Sequence, residues 1–373
     1  MPGRVRVGTQ GPTAPPMRLN RLLAKGAERG GFDSYWALDH MMGFIPAGMW
    51  TPKLTRIARV MKEPEAFYDP FVLLGLLATR TKRIRLGTAV ADTVRLHPAW
   101  IARAALTLQH AAKGRFILGL GAGEAENLVP YGLPVDHLVA RCRESLQVIR
   151  LLWSTPDPVD FGGEFFALKR ASLELRPLQK QPPPIWLAAH RPKMLELTGR
   201  YCDGWIPHDL SLERWTTGLA QIHESARAAG RNAASITPGM FVNSVIDSTH
   251  AAAHSALEQA VVKVGALSLD ATVWADAGGV HPLGATHKGI VDYMPNDLTP
   301  ERAWELINAI SWDVLHGLFV HGTPEEVVET LTPYVDAGCR EIVFQNFTAL
   351  ARPARVLQST GAFLRTSRLL HRL

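Results

Sequence analysis

The segment Arg115–Glu124, RFILGLGAGE, joins an apolar run to alternating glycines and ends in an acidic residue. The run Phe116–Leu120 predicts a buried β-strand, and the glycines after it predict a tight turn at the carboxyl end of that strand. The first two glycines resemble a dinucleotide fingerprint, but Glu124 occupies the position of the third glycine. Two interpretations remain: a solvated turn, or a floor on which a flat ring can approach the backbone closely.

The same alternation of a short strand and a longer helix continues along the chain. Strands are predicted at residues 5–8, 34–38, 84–89, 116–120, 185–188, 204–206, 239–246 and 342–345. These eight strand–helix units favour an α/β fold of the (β/α)8 TIM-barrel type over a doubly wound sheet, since no linker divides the chain into halves. We expect one domain over residues 1–373, with insertions after the second, fourth and seventh strands. The last insertion, around residues 250–320, is expected to be mostly helical.

Composition excludes several classes of protein. With 47% hydrophobic and 20% charged residues, the chain is globular, and its net charge of +6 is scattered, which does not indicate nucleic-acid binding. No apolar run is long enough for a membrane span, and residues 1–16 lack the apolar core of a signal peptide. Cys142, Cys202 and Cys339 form no CxxC pair, which predicts neither a disulfide framework nor a zinc site. A cytoplasmic protein is therefore expected.

In a TIM barrel, the active site is built from the residues that follow the carboxyl ends of the strands. Those residues include Asp39 and His40 after the second strand, residues 90–93 after the third, Glu124 and Asn127 after the fourth, and Ala189, His190 and Arg191 after the fifth. His40 next to Asp39 is a candidate acid or base, although a lone histidine is more often structural. His97, His110, His208, His281 and His287 are not distinguished in this way, so we expect them to be structural or on the surface. No HExxH or clustered His/carboxylate spacing predicts a metal, and no GxSxG elbow predicts a serine hydrolase.

Several motifs together resemble the luciferase-like oxidoreductases. They are Asp33–Trp36 with Asp39–His40, Leu86–Val90, His97–Pro98, Ala105–Leu108, Gly114–Arg115, Leu118–Glu124, Ile185–His190, and Thr198–Tyr201 with Asp203–Trp205. The pattern is similar to the branch that uses coenzyme F420, a 5-deazaflavin, and within that branch to the phthiodiolone ketoreductases. The resemblance is specific in the first two thirds of the chain and looser between residues 251 and 320.

The resemblance implies a site in detail. It implies a deazaflavin ring in the barrel mouth, a cis peptide bond at Ala89–Val90, and His40 and Glu124 as catalytic residues. The implied cofactor-binding residues are Asp39, Ala89, Val90, Gly121, Ala122, Gly123, Asn127, Ala188, Ala189, His190 and Arg191. A tryptophan of the branch's sugar-phosphate dehydrogenases corresponds to Phe44 here, which makes the same substrate doubtful. The family also implies a homodimer.

The expected reaction is hydride transfer between the deazaflavin and a ketone or an activated C=C bond. We expect the apolar mouth to raise the pKa of Glu124 so that this carboxyl donates the proton. The apolar loop after His40 contains Phe44, Met49 and Trp50 and predicts a bulky apolar or peptide-like substrate, although such residues also serve as lid packing. An FMN-dependent monooxygenase of the same superfamily and a flavin-binding barrel without catalysis are the alternatives.

Overall fold

The computed structural model describes residues 4–373 and is centred on a closed barrel of parallel strands. The strands are β1 (Arg6–Gly11), β2 (Ser34–Ala37), β3 (Arg85–Thr88), β4 (Ala91–Asp92), β5 (Phe116–Gly121), β6 (Val159–Gly162), β7 (Ala167–Ala171), β8 (Ile185–Leu187), β9 (Gly204–Trp205), β10 (Thr237–Ile246), β11 (Val320–Gly322) and β12 (Glu341–Asn346). In the order β1, β2, β3, β5, β8, β9, β10 and β12, each strand pairs with the next in parallel, and β12 pairs with β1. The prediction of a (β/α)8 barrel is confirmed.

The helices surround this barrel or form the excursions from it. They are α1 (Met17–Gly30), α2 (Pro70–Ala78), α3 (Pro98–Ala111), α4 (Ala125–Leu128), α5 (Leu138–Ser154), α6 (Pro192–Tyr201), α7 (Leu212–Ala228), α8 (His250–Leu257), α9 (Ala260–Ala266), α10 (Ala271–Asp276), α11 (Pro300–Asn308), α12 (Trp312–Leu318), α13 (Pro324–Asp336), α14 (Thr348–Ala351) and α15 (Val356–Leu370). The predicted capping box at the start of α13 is present, with Thr323 and Glu326 as its two partners. Residues 1–3 of the predicted domain lie outside the described residues.

Four short elements were not predicted from the sequence: β4, β11, α4 and α14. Each has two to four residues, too few to show a period of 2 or 3.6. β4 continues the line of β3 and pairs with β5, whereas β11 pairs with the carboxyl end of β10. α4 begins directly after Glu124, and β11 contains His321.

The longest interruptions of the strand–helix alternation follow β2, β5 and β10. After β5 and α5, the antiparallel hairpin β6–β7 forms where aromatic alternation around Gly162 and Gly163 predicted it. After β10, helices α8–α12 form an apolar cluster of their own that includes Trp274 and Tyr293, and Met49 of the loop after β2 is buried in the same cluster. The excursions after β2 and β10 therefore share a core beside the barrel.

Two tryptophans fill the inside of the barrel. Trp36 and Trp186 lie with ring centroids 5.7 Å apart and are 0% and 2% exposed. Space for them exists because glycines occupy facing positions: a Cβ on Gly87 would lie 2.5 Å from the Trp36 ring, and one on Gly204 would lie 2.4 Å from the Trp186 ring. Large and small residues thus alternate across the interior, as dense packing requires.

Beneath Trp36, a buried carboxylate ties four strands together. The Ser34 hydroxyl accepts from the Trp36 indole N–H at 2.8 Å and donates to Glu341 Oε1 at 2.6 Å. Glu341 is fully buried, and its other oxygen accepts from Arg6 at 3.0 Å and Arg85 at 2.5 Å. Because both oxygens are paired, the buried charge is compensated.

The glycines of the segment Arg115–Glu124 allow β5 to lie against β3 and against β4, which continues β3. A Cβ on Gly119 would lie 1.9 Å from the carbonyl oxygen of Thr88, and one on Gly121 would lie 2.9 Å from the Val90 side chain. The Thr88 hydroxyl fills the remaining gap, since it donates to Gly119 O at 2.7 Å and accepts from Gly119 N at 2.9 Å. The pattern GLG is therefore explained by close strand packing.

Among the described residues, no helix is long and apolar enough to pass through a membrane. All three cysteines are buried and free, in agreement with the predicted absence of a disulfide framework.

The close approach at Gly119 can be tested by adding a single methyl group. Gly119→Ala should lower the free energy of unfolding by about 1–3 kcal/mol, because the Thr88 carbonyl is backbone and cannot rotate away. Gly26→Ala in α1 is the matched control: nothing lies within 4 Å of its added Cβ, and we expect it to be neutral or slightly stabilising. Urea denaturation measures both variants. Equal stability of the two would contradict the packing assigned to Gly119.

Candidate active site

His40 and Glu124, the two predicted catalytic residues, contact each other at the carboxyl end of the barrel. His40 follows β2 and Glu124 follows β5, with β3 between them. The His40 Nε2 and Glu124 Oε2 atoms are 3.2 Å apart, and the two side chains are 5% and 22% exposed. Glu124 therefore faces the mouth of the barrel, and His40 lies behind it.

The local backbone brings Glu124 to this place. Gly123, at φ +115°, turns the chain in a conformation that side chains disfavour, and Glu124 then stands directly before α4, without a capping hydrogen bond from its side chain. On α4, the Asn127 amide donates to Glu124 Oε2 at 3.1 Å, and its oxygen accepts from the Met41 amide at 2.7 Å. Asn127 therefore holds both the carboxylate and the loop that contains His40.

A second carboxyl group, not predicted from the sequence, lies on the other side of His40. Glu126 is fully buried, and its Oε1 is 2.9 Å from His40 Nδ1. That contact is close but poorly aligned for a hydrogen bond, and neither oxygen of Glu126 has another partner among the described residues. The imidazole thus lies between two carboxyl groups. The sequence signal that could have revealed Glu126 was the pattern Glu124, Ala125, Glu126 directly after a predicted strand.

The pKa values of the three groups shift in different directions. Burial alone would lower the pKa of His40, but Glu124 first and Glu126 second raise it well above its ordinary value of 6.5. Burial would raise the pKa of Glu124, but the contact with His40 outweighs it and the pKa is lowered. For Glu126, burial dominates and the pKa is raised. The proton therefore rests on His40, Glu124 is ionised, and Glu126 is the more readily protonated carboxyl.

This charge distribution corrects one expectation. The apolar mouth was expected to raise the pKa of Glu124, and this is wrong because an imidazolium 3.2 Å away stabilises the carboxylate more than burial destabilises it.

Asp39 forms a cluster of its own beside His40. Arg95 lies 2.9 Å from Asp39 Oδ2, donates to the Asp39 carbonyl at 3.0 Å, and also pairs with the Asp92 carboxylate. Burial raises the pKa of Asp39 to about 6 although Arg95 opposes this shift. In this structure Asp39 anchors the strand end, and its predicted contact with a cofactor stays a prediction.

The ends of β8 and β9, the strands next in order after β5, contribute a histidine pair. His190, which follows β8, accepts at Nε2 from the His208 amide at 2.9 Å, and His208 Nδ1 is 2.5 Å from Asp209 Oδ2. Asp209 in turn accepts from Asn243 Nδ2 of β10 at 2.7 Å. Burial opposes the charged form of His208, but Asp209 first, and Gln345 and Glu124 after it, raise the pKa of His208 above its ordinary value of 6.5.

His208 was expected to be structural or on the surface, yet it lies at this mouth beside His190. The sequence contained the signal, since His208–Asp209 follows the sixth strand as Asp39–His40 follows the second.

Small residues occupy several of the strand ends around the mouth. The peptide bond Ala89–Val90 is cis, as the resemblance implies. Partly exposed side chains at these strand ends belong to Ala89, Val90, Ala122 and Ala188, whereas Gly121, Gly123 and Ala189 are buried. At these described strand ends the side chains are therefore small and in part accessible.

Basic groups lie where α6 begins. Arg191 precedes the helix and pairs with Asp270 at 2.9 Å, while its side chain stays 57% exposed. A cleft of about 560 Å³ lies beside α4 and the start of α6. It is lined by Ala125, the residue after Glu124, by Lys193 and Lys288, and by apolar side chains that include Val129 and Leu138.

The three predicted substrate residues differ in their surroundings. Met49 is fully buried in the apolar cluster beside the barrel, and the Trp50 indole donates to the Met61 carbonyl at 2.8 Å. Phe44 is half-buried, packs edge-on against Phe347, and accepts at its carbonyl from the Tyr293 hydroxyl at 3.1 Å. In this conformation Met49 and Trp50 support the loop, and the substrate contacts of all three stay predictions.

Comparison with known proteins identifies the family of this chain. The luciferase-like monooxygenase family model matches residues 1–341. The chain belongs to the luciferase-like monooxygenase family. A phthiodiolone/phenolphthiodiolone dimycocerosates ketoreductase of Mycobacterium kansasii is 37% identical over 337 residues, which cover 89% of this chain and 91% of the relative.

Two further relatives of this luciferase-like chain are similar along most of its length. An F420-dependent glucose-6-phosphate dehydrogenase of Amycolatopsis mediterranei (strain U-32) is 31% identical over 327 residues, 85% of each chain. The solved structure of an F420-dependent secondary alcohol dehydrogenase with an F420–acetone adduct has a TM-score of 0.76 at 21% identity and covers 97% of this chain and 98% of that one. At that identity, the structural likeness shows the fold alone.

The charge on the His40 group can be tested by removing each carboxylate in turn. Glu124→Gln should lower the pKa of His40 more than Glu126→Gln does, because Glu124 is the ionised partner. NMR titration of labelled imidazoles measures this pKa. Equal effects of the two substitutions, or none, would contradict the assignment.

The same shifts give a stability window. The stabilisation that comes from the raised pKa of His40 is fully present below pH 6.5 and is lost as pH rises through the raised value. The stabilisation that comes from the lowered pKa of Glu124 is fully present above pH 4.5 and is lost as pH falls through the lowered value. The excess stability of the wild type over Glu124→Gln should therefore be largest between these limits.

Proposed function

We propose that this protein is an F420-dependent oxidoreductase that transfers hydride between reduced deazaflavin and a ketone or an activated C=C bond of a bulky, apolar or peptide-like substrate. One observation carries the proposal: an imidazolium–carboxylate pair, His40 and Glu124, at the edge of an open mouth with small-residue walls. The ketoreductase and the F420-dependent dehydrogenase among the relatives support the same class of reaction. A homodimer, implied by the family, also stays a proposal.

The residues of the mouth fit a flat cofactor. Ala89, Val90, Ala122 and Ala188 leave the strand ends open, and the Oδ1 atom of Asn243 near the histidine pair is buried without a partner in the described structure. When bound, a deazaflavin supplies hydride and reacts poorly with oxygen. The chain must then bind the cofactor, orient the substrate and supply a proton.

The anionic part of the cofactor is assigned to the start of α6. A helix amino end favours negative charge, and Arg191, Lys193 and Lys288 add cations in the same region. Because Arg191 is already paired with Asp270, Lys193 and Lys288 are the two cations more available to an anion.

Proton delivery follows from the order of exposure. Glu124 is 22% exposed, His40 is 5% exposed, and Glu126 is fully buried. As negative charge develops on a carbonyl oxygen in the mouth, the proton resting on His40 Nε2 moves to Glu124 Oε2, 3.2 Å away, and from Glu124 to that oxygen. Glu124 is the donor to substrate, and His40 is its proton reservoir.

The substrate side of the mouth is apolar. Met41, which Asn127 holds beside Glu124, is an apolar side chain that is 44% exposed. Exposed apolar side chains at a mouth favour a bulky apolar substrate over a free sugar phosphate.

The choice of cofactor is tested by parallel titrations of the purified protein with F420 and FMN. We expect F420 to bind more tightly, and reduced F420 to be oxidised when a bulky apolar ketone is added. Tight binding of FMN together with consumption of oxygen would instead establish the monooxygenase alternative. Binding of F420 without turnover of any ketone or activated alkene would favour the non-catalytic barrel.

The donor role is tested by Glu124→Gln. We expect turnover to fall by about 10²–10⁴-fold, the usual contribution of a positioned acid, while the Kd for F420 changes little. Glu126→Gln, the matched control two residues away, should slow turnover less. An unchanged rate for Glu124→Gln would remove this residue from proton transfer.

A further inference from the structure

A second group of ionisable side chains lies outside the barrel mouth. It consists of His254 on α8, His316 on α12 and His321 on β11, each with one ring nitrogen within 4.8 Å of the others. His254 and His321 are half-buried, and His316 is exposed. The group lies where the excursion after β10 returns, because β11 pairs with the carboxyl end of β10.

One of these rings has a tautomer fixed by a hydrogen bond, and a second has a buried nitrogen without a partner among the described residues. His321 Nδ1 is 2.9 Å from the Phe319 carbonyl, which can only accept, so the proton is on Nδ1 and Nε2 is a free acceptor. His254 Nε2 is buried and has no hydrogen-bond partner among the described residues. A carbonyl that fixes the tautomer of a histidine is the usual outer partner of a metal ligand.

A fourth histidine and a carboxylate flank the three. His250 lies one turn before His254 on α8, and their ring centroids are 3.8 Å apart. The His250 Nδ1–H donates to Glu326 Oε1 at 2.7 Å. Glu326 is fixed by its capping box at the start of α13.

We propose that His254, His316 and His321 bind a borderline divalent cation of the Zn²⁺ type, with His250 or water as the fourth ligand. Neutral imidazoles are preferred ligands of Zn²⁺ at about 2 Å, and small side-chain rotations bring nitrogens at the present spacing to that distance. No spacing in the sequence predicted a metal, since the three residues belong to separate elements.

The ion would act as a clamp on the excursion. α8 begins the segment and β11 ends it, so one cation joins both ends and holds the apolar cluster of α8–α12 beside the loop that follows β2. Binding to the folded state alone raises its stability.

The test uses the full chain, stripped with chelator and then titrated with Zn²⁺ by calorimetry and metal analysis. We expect one tight Zn²⁺ per chain in the wild type and a rise in Tm on addition of Zn²⁺. His316→Ala should weaken binding by more than about 10-fold, the least that loss of an outer partner of a ligand costs, and should abolish the rise in Tm. Because His316 is exposed, this variant should fold normally, and His321→Gln provides a second substitution.

His223→Ala on α7 is the matched control and should bind Zn²⁺ as the wild type does. His40, Glu124 and Glu126 also lie within 4.8 Å of one another, so His40→Asn identifies binding there. The proposal is overturned if wild type takes up no tight Zn²⁺, if His316→Ala and His321→Gln bind it as the wild type does, or if only His40→Asn loses it.

Discussion

The contact between His40 and Glu124 is the interaction on which the mouth of this barrel depends. It joins the loops after β2 and β5 across the end of β3, and it places a positive and a negative charge where solvent has little access. Its geometry requires the turn at Gly123 and the amide of Asn127, which holds both loops. The close approach of β5 to β3 requires Gly119, because a Cβ there would lie 1.9 Å from the Thr88 carbonyl oxygen, and Glu124 follows the end of β5.

Burial and pairing compete at this contact, and pairing decides the position of the proton. Burial disfavours the charged form of each group, yet His40 and Glu124 are held at a distance where their attraction is strong in a low dielectric. Glu126 is also a carboxyl group, and it lies closer to a ring nitrogen of His40 than Glu124 does. It is fully buried and its contact with His40 is poorly aligned, so the effect of burial dominates and the pKa of Glu126 is raised. A proton is therefore kept next to an open mouth, behind the more exposed carboxylate.

The barrel and part of the site could be predicted because they are encoded locally. Strand ends are visible as apolar runs followed by small or acidic residues, and parallel strands bring such ends together, which placed His40 and Glu124 on one mouth. Pairing partners between distant segments could not be predicted. Arg95 joins Asp39 and Asp92, and His208 meets His190, only because separate strands are neighbours. The pKa of Glu124 was misjudged for the same reason, since it depends on a distance that composition does not contain.

A crystal structure of the protein with F420 and a bound ketone would show which side chain reaches the reacting oxygen. We expect the ketone oxygen within about 3 Å of Glu124, with His40 behind the carboxylate and the deazaflavin in the same mouth. A ketone oxygen held by the His190–His208 pair, or a cofactor bound away from both, would contradict this expectation.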